Sequence, residues 1–250
     1  MSVFALLFAL GGSPQFPPAL VGQSPEEQVV MALKGARKQW LNRDWGSHTD
    51  DAITALEAAK AADPANYKVR YNLSRFYYWQ AIQASGDAKA EWAKKAWDEA
   101  EEAKALRPGA VEGWYWASAA IGEYSKAMGI GTSVKDGLAD KFKTNAQKAI
   151  DINSSHDEGG PLRALGRFHS QLPWPLQDLD TSRRLLEKAN GVSRSAINLY
   201  FLADSERMDD NLDVARPLFE ECAALDPAKA KDPPATRRNT KRCVDALKGL

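Results

Sequence analysis

Few stretches of this 250-residue chain hold side chains of the kind that do chemistry. His156-Asp157-Glu158, beside Gly159-Gly160, is the one site-like cluster of titratable groups. Consecutive loop residues rarely point at one metal ion, and no second His or Cys stands at helical spacing to complete a shell. The stretch reads as a capped loop, with Asp157 or Glu158 favouring the positive end of the next helix. Gly129-Ile130-Gly131-Thr132-Ser133 has the glycines of a phosphate loop, but no strand precedes it and G-x-x-x-x-G-K-[ST] is absent. It reads as a helix terminator and linker. No G-x-S-x-G elbow occurs, and neither Cys222 nor Cys243 has a histidine near it in sequence. Glu99, Glu101 and Glu102 beside Lys94, Lys95 and Lys104 read as an exposed charged helix face. No catalytic residue, cofactor or metal is assigned, and an enzyme is not expected.

The composition is ordinary for a soluble protein that buries a core: 44% of residues are hydrophobic and 26% charged. Lys plus Arg and Asp plus Glu both number 33, so the net charge is zero. A dedicated nucleic-acid binder needs an excess of cations to neutralise phosphates, and that class is excluded. Two cysteines rule out a disulfide-dense scaffold and match no paired zinc spacing; whether they bond to each other is left open.

Both ends differ from the middle. Residues 1–25 carry no charge, and Val3 to Leu10 form an apolar run of eight followed by Gly11-Gly12-Ser13 and a Pro-rich stretch. The run is too short to cross a bilayer as a helix, which needs about 20 residues. It has the length of an export-signal core but lacks the Lys or Arg that precedes one, so this segment reads as signal-like or as a disordered apolar terminus. Residues 228–250 are a linker and a solvated capping helix, Thr236 to Leu247, rather than a basic docking tail.

The middle, residues 26–227, repeats. Helix-closing signals recur at Ala61-Ala62-Asp63-Pro64, Ala105-Leu106-Arg107-Pro108, Ile150-Asp151-Ile152-Asn153, Lys188-Ala189-Asn190 and Ala224-Leu225-Asp226-Pro227. Their last residues lie 44, 45, 37 and 37 apart. Between them each segment divides into two amphipathic helices, with Ala, Leu and aromatics at spacings of three and four. The spacing is close to the tetratricopeptide unit of about 34 residues. Leu199, Leu202, Ala203, Ala215, Phe219, Cys222 and Pro227 fall at its consensus offsets. The second and third units carry extensions, and the fourth carries extra residues at Pro173-Trp174-Pro175. The expected fold is an all-α tetratricopeptide-like array of about five helical hairpins with a C-terminal capping helix. A single hairpin cannot bury its apolar face, whereas a stack can.

Three stretches carry a family resemblance: Gly159-Gly160-Pro161-Leu162-Arg163-Ala164-Leu165-Gly166, Glu112-Gly113-Trp114-Tyr115-Trp116, and Leu185-Leu186-Glu187-Lys188-Ala189 followed by Asn198-Leu199-Tyr200-Phe201-Leu202-Ala203. With the overlong helices, the chain resembles the T-component proteins associated with tripartite ATP-independent periplasmic (TRAP) transporters. The resemblance implies an exported, non-enzymatic, oligomeric partner of a periplasmic solute-binding subunit. No Cys follows the apolar run, which departs from the lipid-anchored members. The eukaryotic microtubule-regulator family is similar in helical layout, and the alternative is a cytoplasmic tetratricopeptide scaffold for acidic peptide tails.

In such a stack the first helix of each hairpin lines a concave face. The inward positions here are Tyr71, Tyr115, Arg163 and Tyr200, and one turn on, Arg75, Ala119, Arg167 and Asp204. With Tyr78 and Trp79 the predicted groove is aromatic and holds three arginines, Arg75, Arg163 and Arg167. Rings give contact area at low entropic cost and arginine offers a fork for carboxylates, so the expected partner is an acidic protein surface or a carboxylate-ended peptide. The tyrosines read equally as helix-packing core.

Overall fold

The computed structural model describes residues 24–250; the apolar run from Val3 to Leu10 lies outside them. Ser24 caps the first helix, α1 (Pro25–Trp40), in a reciprocal box with Glu27, and Pro25 fills the first helical position, where no N–H is needed.

Five helical hairpins follow in order. They are α1 with α2 (His48–Ala62), α3 (Tyr67–Gln83) with α4 (Gly86–Leu106), and α5 (Val111–Met128) with α7 (Leu138–Asn153), then α8 (His156–Gln171) with α9 (Leu179–Val192), and α10 (Ala196–Met208) with α11 (Leu212–Ala223). A short helix, α6 (Ile130–Lys135), interrupts the third hairpin, and α12 (Pro233–Leu247) closes the chain. No strand occurs among the described residues. α1, α3, α5, α8 and α10 pack in succession as an inner layer, with α2, α4, α7, α9 and α11 outside. The hairpin ends fall where the sequence marks them: α2 stops at Ala62 before Asp63-Pro64, and α4 at Leu106 before Arg107-Pro108.

Small residues set the tight crossings. Ala59, Ala96, Ala100, Ala103, Ala117 and Ala120 are at most 1% exposed, and Leu56, Leu73, Phe76, Ile121, Leu186, Leu199 and Phe219 fill the space beside them. Two glycines are held by close approach. A Cβ on Gly113 would stand 2.8 Å from the backbone nitrogen of Lys104, and one on Gly160 2.8 Å from the Tyr115 ring. The two glycine-bearing stretches of the family resemblance are thus crossing points between successive helices.

Three sequence expectations change. The glycine stretch at 129–133 does end α5, with Gly129 at φ 89°, but then winds into α6 instead of a plain linker. Glu99 is not on an exposed face: it is buried and accepts from Lys60 (2.9 Å) on α2 and Arg70 (2.8 Å) on α3, tying two hairpins together. α12 does cap the array, but as a half-buried helix rather than a solvated one. It buries Pro234, Thr236, Asn239 and Cys243 against α10 and α11, and Cys222 and Cys243 form a disulfide with Cα atoms 6.1 Å apart.

Candidate ligand-binding cavity

The decisive feature is where α12 goes. From the fifth hairpin it runs back across the concave side to the loop between α1 and α2. Arg43 Nη2 donates to Asp232 at 2.8 Å, Arg237 grips Asp44 through two hydrogen bonds of 2.6 and 2.8 Å, and Arg238 donates to the Ile82 carbonyl near the end of α3 at 3.3 Å. These contacts join residues up to 193 positions apart, so the array closes on itself. The groove becomes a cavity of about 410 Å³.

Part of its lining is apolar, formed by Ile130, Val134, Leu138, Phe142 and Phe168 from α6, α7 and α8 and by Leu172 just after α8. The rest is aromatic and charged, with Trp40, Tyr78, Trp79, Tyr115 and Trp116 together with arginines from α8, α12 and the α1–α2 loop. Arg43 is held by several contacts, although its Nε is buried without a partner among the described residues. It donates to the Trp40 carbonyl at 2.7 Å, its guanidinium lies 3.8 Å from the Trp40 ring centroid and 4.4 Å from that of Trp79, and Trp79 Nε1 donates back to its carbonyl at 3.1 Å. A guanidinium on an indole face is a favourable desolvated contact. Burial still draws the Arg43 pKa down, and Asp232 opposes the shift.

The fourth hairpin enters through a strained turn. Asp157, Glu158 and Gly159 take φ of 49°, 58° and 84°, a left-handed run that costs the two non-glycine residues of the order of 1–2 kcal/mol each. The turn aims the Asp157 carboxylate inward, where it accepts from Tyr115 OH and Arg163 Nη2, both at 2.8 Å. Asp157 thus binds a neighbouring hairpin rather than capping its own helix. Arg163 also donates to Tyr115 OH (3.0 Å) and to Asn198 Oδ1 (2.9 Å), and Asn198 Nδ2 returns to the Glu158 carbonyl (2.8 Å). Hairpins three, four and five meet in this network. Burial pushes the Asp157 carboxyl upward, but Arg163, the Tyr115 hydroxyl and His156 outweigh it and leave it below the usual carboxylate range. The Tyr115 hydroxyl is raised by burial and by Asp157.

Of the eight residues the sequence puts in the groove, Tyr78, Trp79, Tyr115, Arg163 and Arg167 border the cavity. Tyr71 packs on Tyr67 (5.2 Å between centroids), Arg75 lies on Trp40, and Tyr200 sits 3.8 Å beneath the Arg242 guanidinium. Arg163 and Arg167 have carboxylate partners within the protein, the latter Asp204 at 2.6 Å. Seven cations border the cavity (Arg43, Lys89, Lys126, Arg163, Arg167, Arg238, Arg242) against four carboxylates (Glu123, Asp157, Glu158, Asp232). Glu123 is shared by Lys89 and Lys126. Arg238 and Arg242 have no carboxylate partner among the described residues. The sequence reading misses Trp40, Arg43, Arg238 and Arg242. The last two stand at i, i+4 on α12, which places them on one face, but nothing local says which way that face looks.

The family model for regulator of microtubule dynamics protein 1-3 matches residues 38–174, more than half of the chain. No curated protein matches. Among solved structures, a thermophilic tetratricopeptide protein of Thermus thermophilus is similar at 14% identity and TM-score 0.64, over 88% of this chain and 99% of that one. The match supports the tetratricopeptide-like fold. The MamA protein (15% identity, TM-score 0.48, 78% of this chain and 90% of that one) and yeast Tom70 (18%, 0.42, 91% and 47%) show weaker likeness.

Proposed function

The chain belongs to the regulator of microtubule dynamics family, and from that premise we propose that it is a non-enzymatic binding module whose ligand enters the inner cavity. The observation that carries this reading is the partly open cavity of about 410 Å³, walled by rings and by arginines in excess over carboxylates. That volume lies within the ~300–1,000 Å³ of small-ligand sites, so it takes a small molecule or a short chain end rather than a whole helix. The partner is a protein that offers an acidic segment, and the resemblance to the T-components of TRAP transporters points to a periplasmic solute-binding subunit. Export is supported by the Cys222–Cys243 disulfide, since such bonds persist in oxidising compartments and are rare where thiols are kept reduced.

The family's description, regulators of microtubule dynamics, favours a second reading: a cytoplasmic scaffold that binds acidic peptide tails. N-terminal sequencing of the mature protein from cells separates the two. A processed N-terminus together with an oxidised cysteine pair supports export, whereas an intact start with two free thiols supports the scaffold.

The cavity reading is tested by filling it. Ala119 and Ala164 border the space, and Ala119→Trp or Ala164→Trp occupies it from the α5 or α8 side. Capture from the native cell envelope is expected to yield a solute-binding subunit with the parent protein and none with the Ala119→Trp variant. Equal recovery with both would remove the cavity from the function.

A further inference from the structure

The arginines of the inner face are not equivalent. Arg163 and Arg167 are neutralised by Asp157 and Asp204, and Arg43 by Asp232. Arg238 donates only to the Ile82 carbonyl, and Arg242 only to Asn239 Oδ1 at 3.0 Å while lying over Tyr200. Arg75, on the inner helix α3, has no hydrogen bond or ion pair among the described residues. Its Nε is buried without a partner, and its guanidinium rests on rings, 4.3 Å from the Trp40 centroid and 5.6 Å from that of Phe76. Because Arg43 lies 3.8 Å from that Trp40 centroid, the two guanidiniums are at most the sum of those two distances apart.

A buried charge without a counter-charge costs several kcal/mol, and proteins seldom retain one unless something else supplies the partner. Trp40, Arg238 and Arg242 all border the same cavity, and Arg238 spans from α12 to α3, the helix that carries Arg75. No carboxylate of the described residues pairs with Arg75, Arg238 or Arg242.

We propose that the side of the cavity between α3 and α12 is a binding site for an oxyanion, a carboxylate or a phosphate, with Arg238 and Arg242 as its direct donors and Arg75, against Trp40, supplying a further positive charge. The rest of the ligand lies along Phe142, Phe168 and Leu138 on the apolar part of the lining. This deepens the reading of the cavity as the ligand-binding site and rests on it. Burial, helped by the neighbouring Arg43, draws the Arg75 pKa down to about 10 against the upward pull of Tyr71, Asp157 and Asp232, none of which hydrogen-bonds to it.

The test uses calorimetric titration and thermal unfolding of the full chain with benzoate, inorganic phosphate and, as the uncharged control, benzamide. Benzoate or phosphate is expected to bind and raise the melting temperature, and benzamide to do neither; which anion binds names the oxyanion. Arg238→Met is expected to weaken that binding roughly 10- to 100-fold, the worth of one charge-assisted hydrogen bond. Arg75→Met should weaken it less and raise the melting temperature of the unliganded protein, because an uncompensated charge has been removed. Absence of binding by either anion, benzamide binding as tightly as benzoate, or unchanged anion affinity in Arg238→Met would overturn the proposal. A destabilised Arg75→Met protein would equally contradict it. The Ala119→Trp variant separates this failure from failure of the wider reading. If it loses partner capture while no anion binds the parent, the oxyanion site falls and the cavity reading stands. If it loses anion binding but keeps its partner, the oxyanion site stands and the partner docks elsewhere.

Discussion

Arg163 on α8 and Arg75 on α3 both belong to the inner layer of helices and have opposite surroundings. Arg163 is enclosed by Asp157, Tyr115 and Asn198, so that every contact balances or orients its charge. Arg75 leans on two aromatic rings and meets no acceptor among the described residues. The first region is architecture: it fixes the strained turn at 157–159 and pins three hairpins together. The second is a charge held ready at a fixed place. Two arginines on one face of a repeat array can thus have different purposes, and only the count of their partners tells which is which.

Removing Arg163 should give the largest effect. Arg163→Met leaves the fully buried Asn198 Oδ1 without its arginine donor and takes a charged donor from Tyr115 OH and Asp157, and about 3–5 kcal/mol of unfolding free energy should be lost in urea denaturation. An equal loss in Arg75→Met would erase the contrast. Next is the disulfide that holds α12 over the cavity. Converting Cys222 and Cys243 together to Ala should cost about 3 kcal/mol for a closed loop of this length. Hydrogen exchange should then rise along α12 before it rises in the inner layer; a uniform rise would show that α12 is not a separable strap.

Acid sharpens the comparison further. Asp157 has a folded-state pKa below its unfolded value, so its contribution is full above the ordinary carboxylate range near pH 4 and is lost as pH falls through the folded value. Asp157→Asn should be less stable at neutral pH and flatten the decline of stability on the acid side. A variant as steep as the parent would assign that decline to other carboxylates. The smallest effect belongs to the outer latch. The Asp44–Arg237 pair is partly exposed, and Asp44→Asn should cost under about 1 kcal/mol while speeding entry of a cavity-bound probe. A large stability loss with no change in entry rate would make this pair structural rather than a latch.

The hairpins are legible in the sequence because their cause is local. Pro64, Pro108 and Pro227 stop helices, and Ala59, Ala100 and Ala103 repeat at helical spacing beneath them. Part of the cavity lining is legible for the same reason: Tyr115 and Arg163 stand at inward positions of their hairpins, and Arg167 follows Arg163 by four residues. The rest depends on α12 returning to Arg43 and Asp44, contacts that link sequence positions 189 and 193 apart and leave no mark in any local window. Which arginine is neutralised is equally invisible, since Asp204, the partner of Arg167, arrives from the next hairpin. Glu99 misleads for the same reason. Its run of acidic neighbours looks solvated, yet its partners Lys60 and Arg70 come from the two preceding helices.

The most direct test is a crystal structure grown in whichever of benzoate or phosphate binds. The account predicts ordered density inside the ring, within hydrogen-bonding distance of Arg238 or Arg242 and close to Trp40, with α12 still seated on the α1–α2 loop. Anion density confined to the outer surface, around a cavity that holds only water, would contradict it.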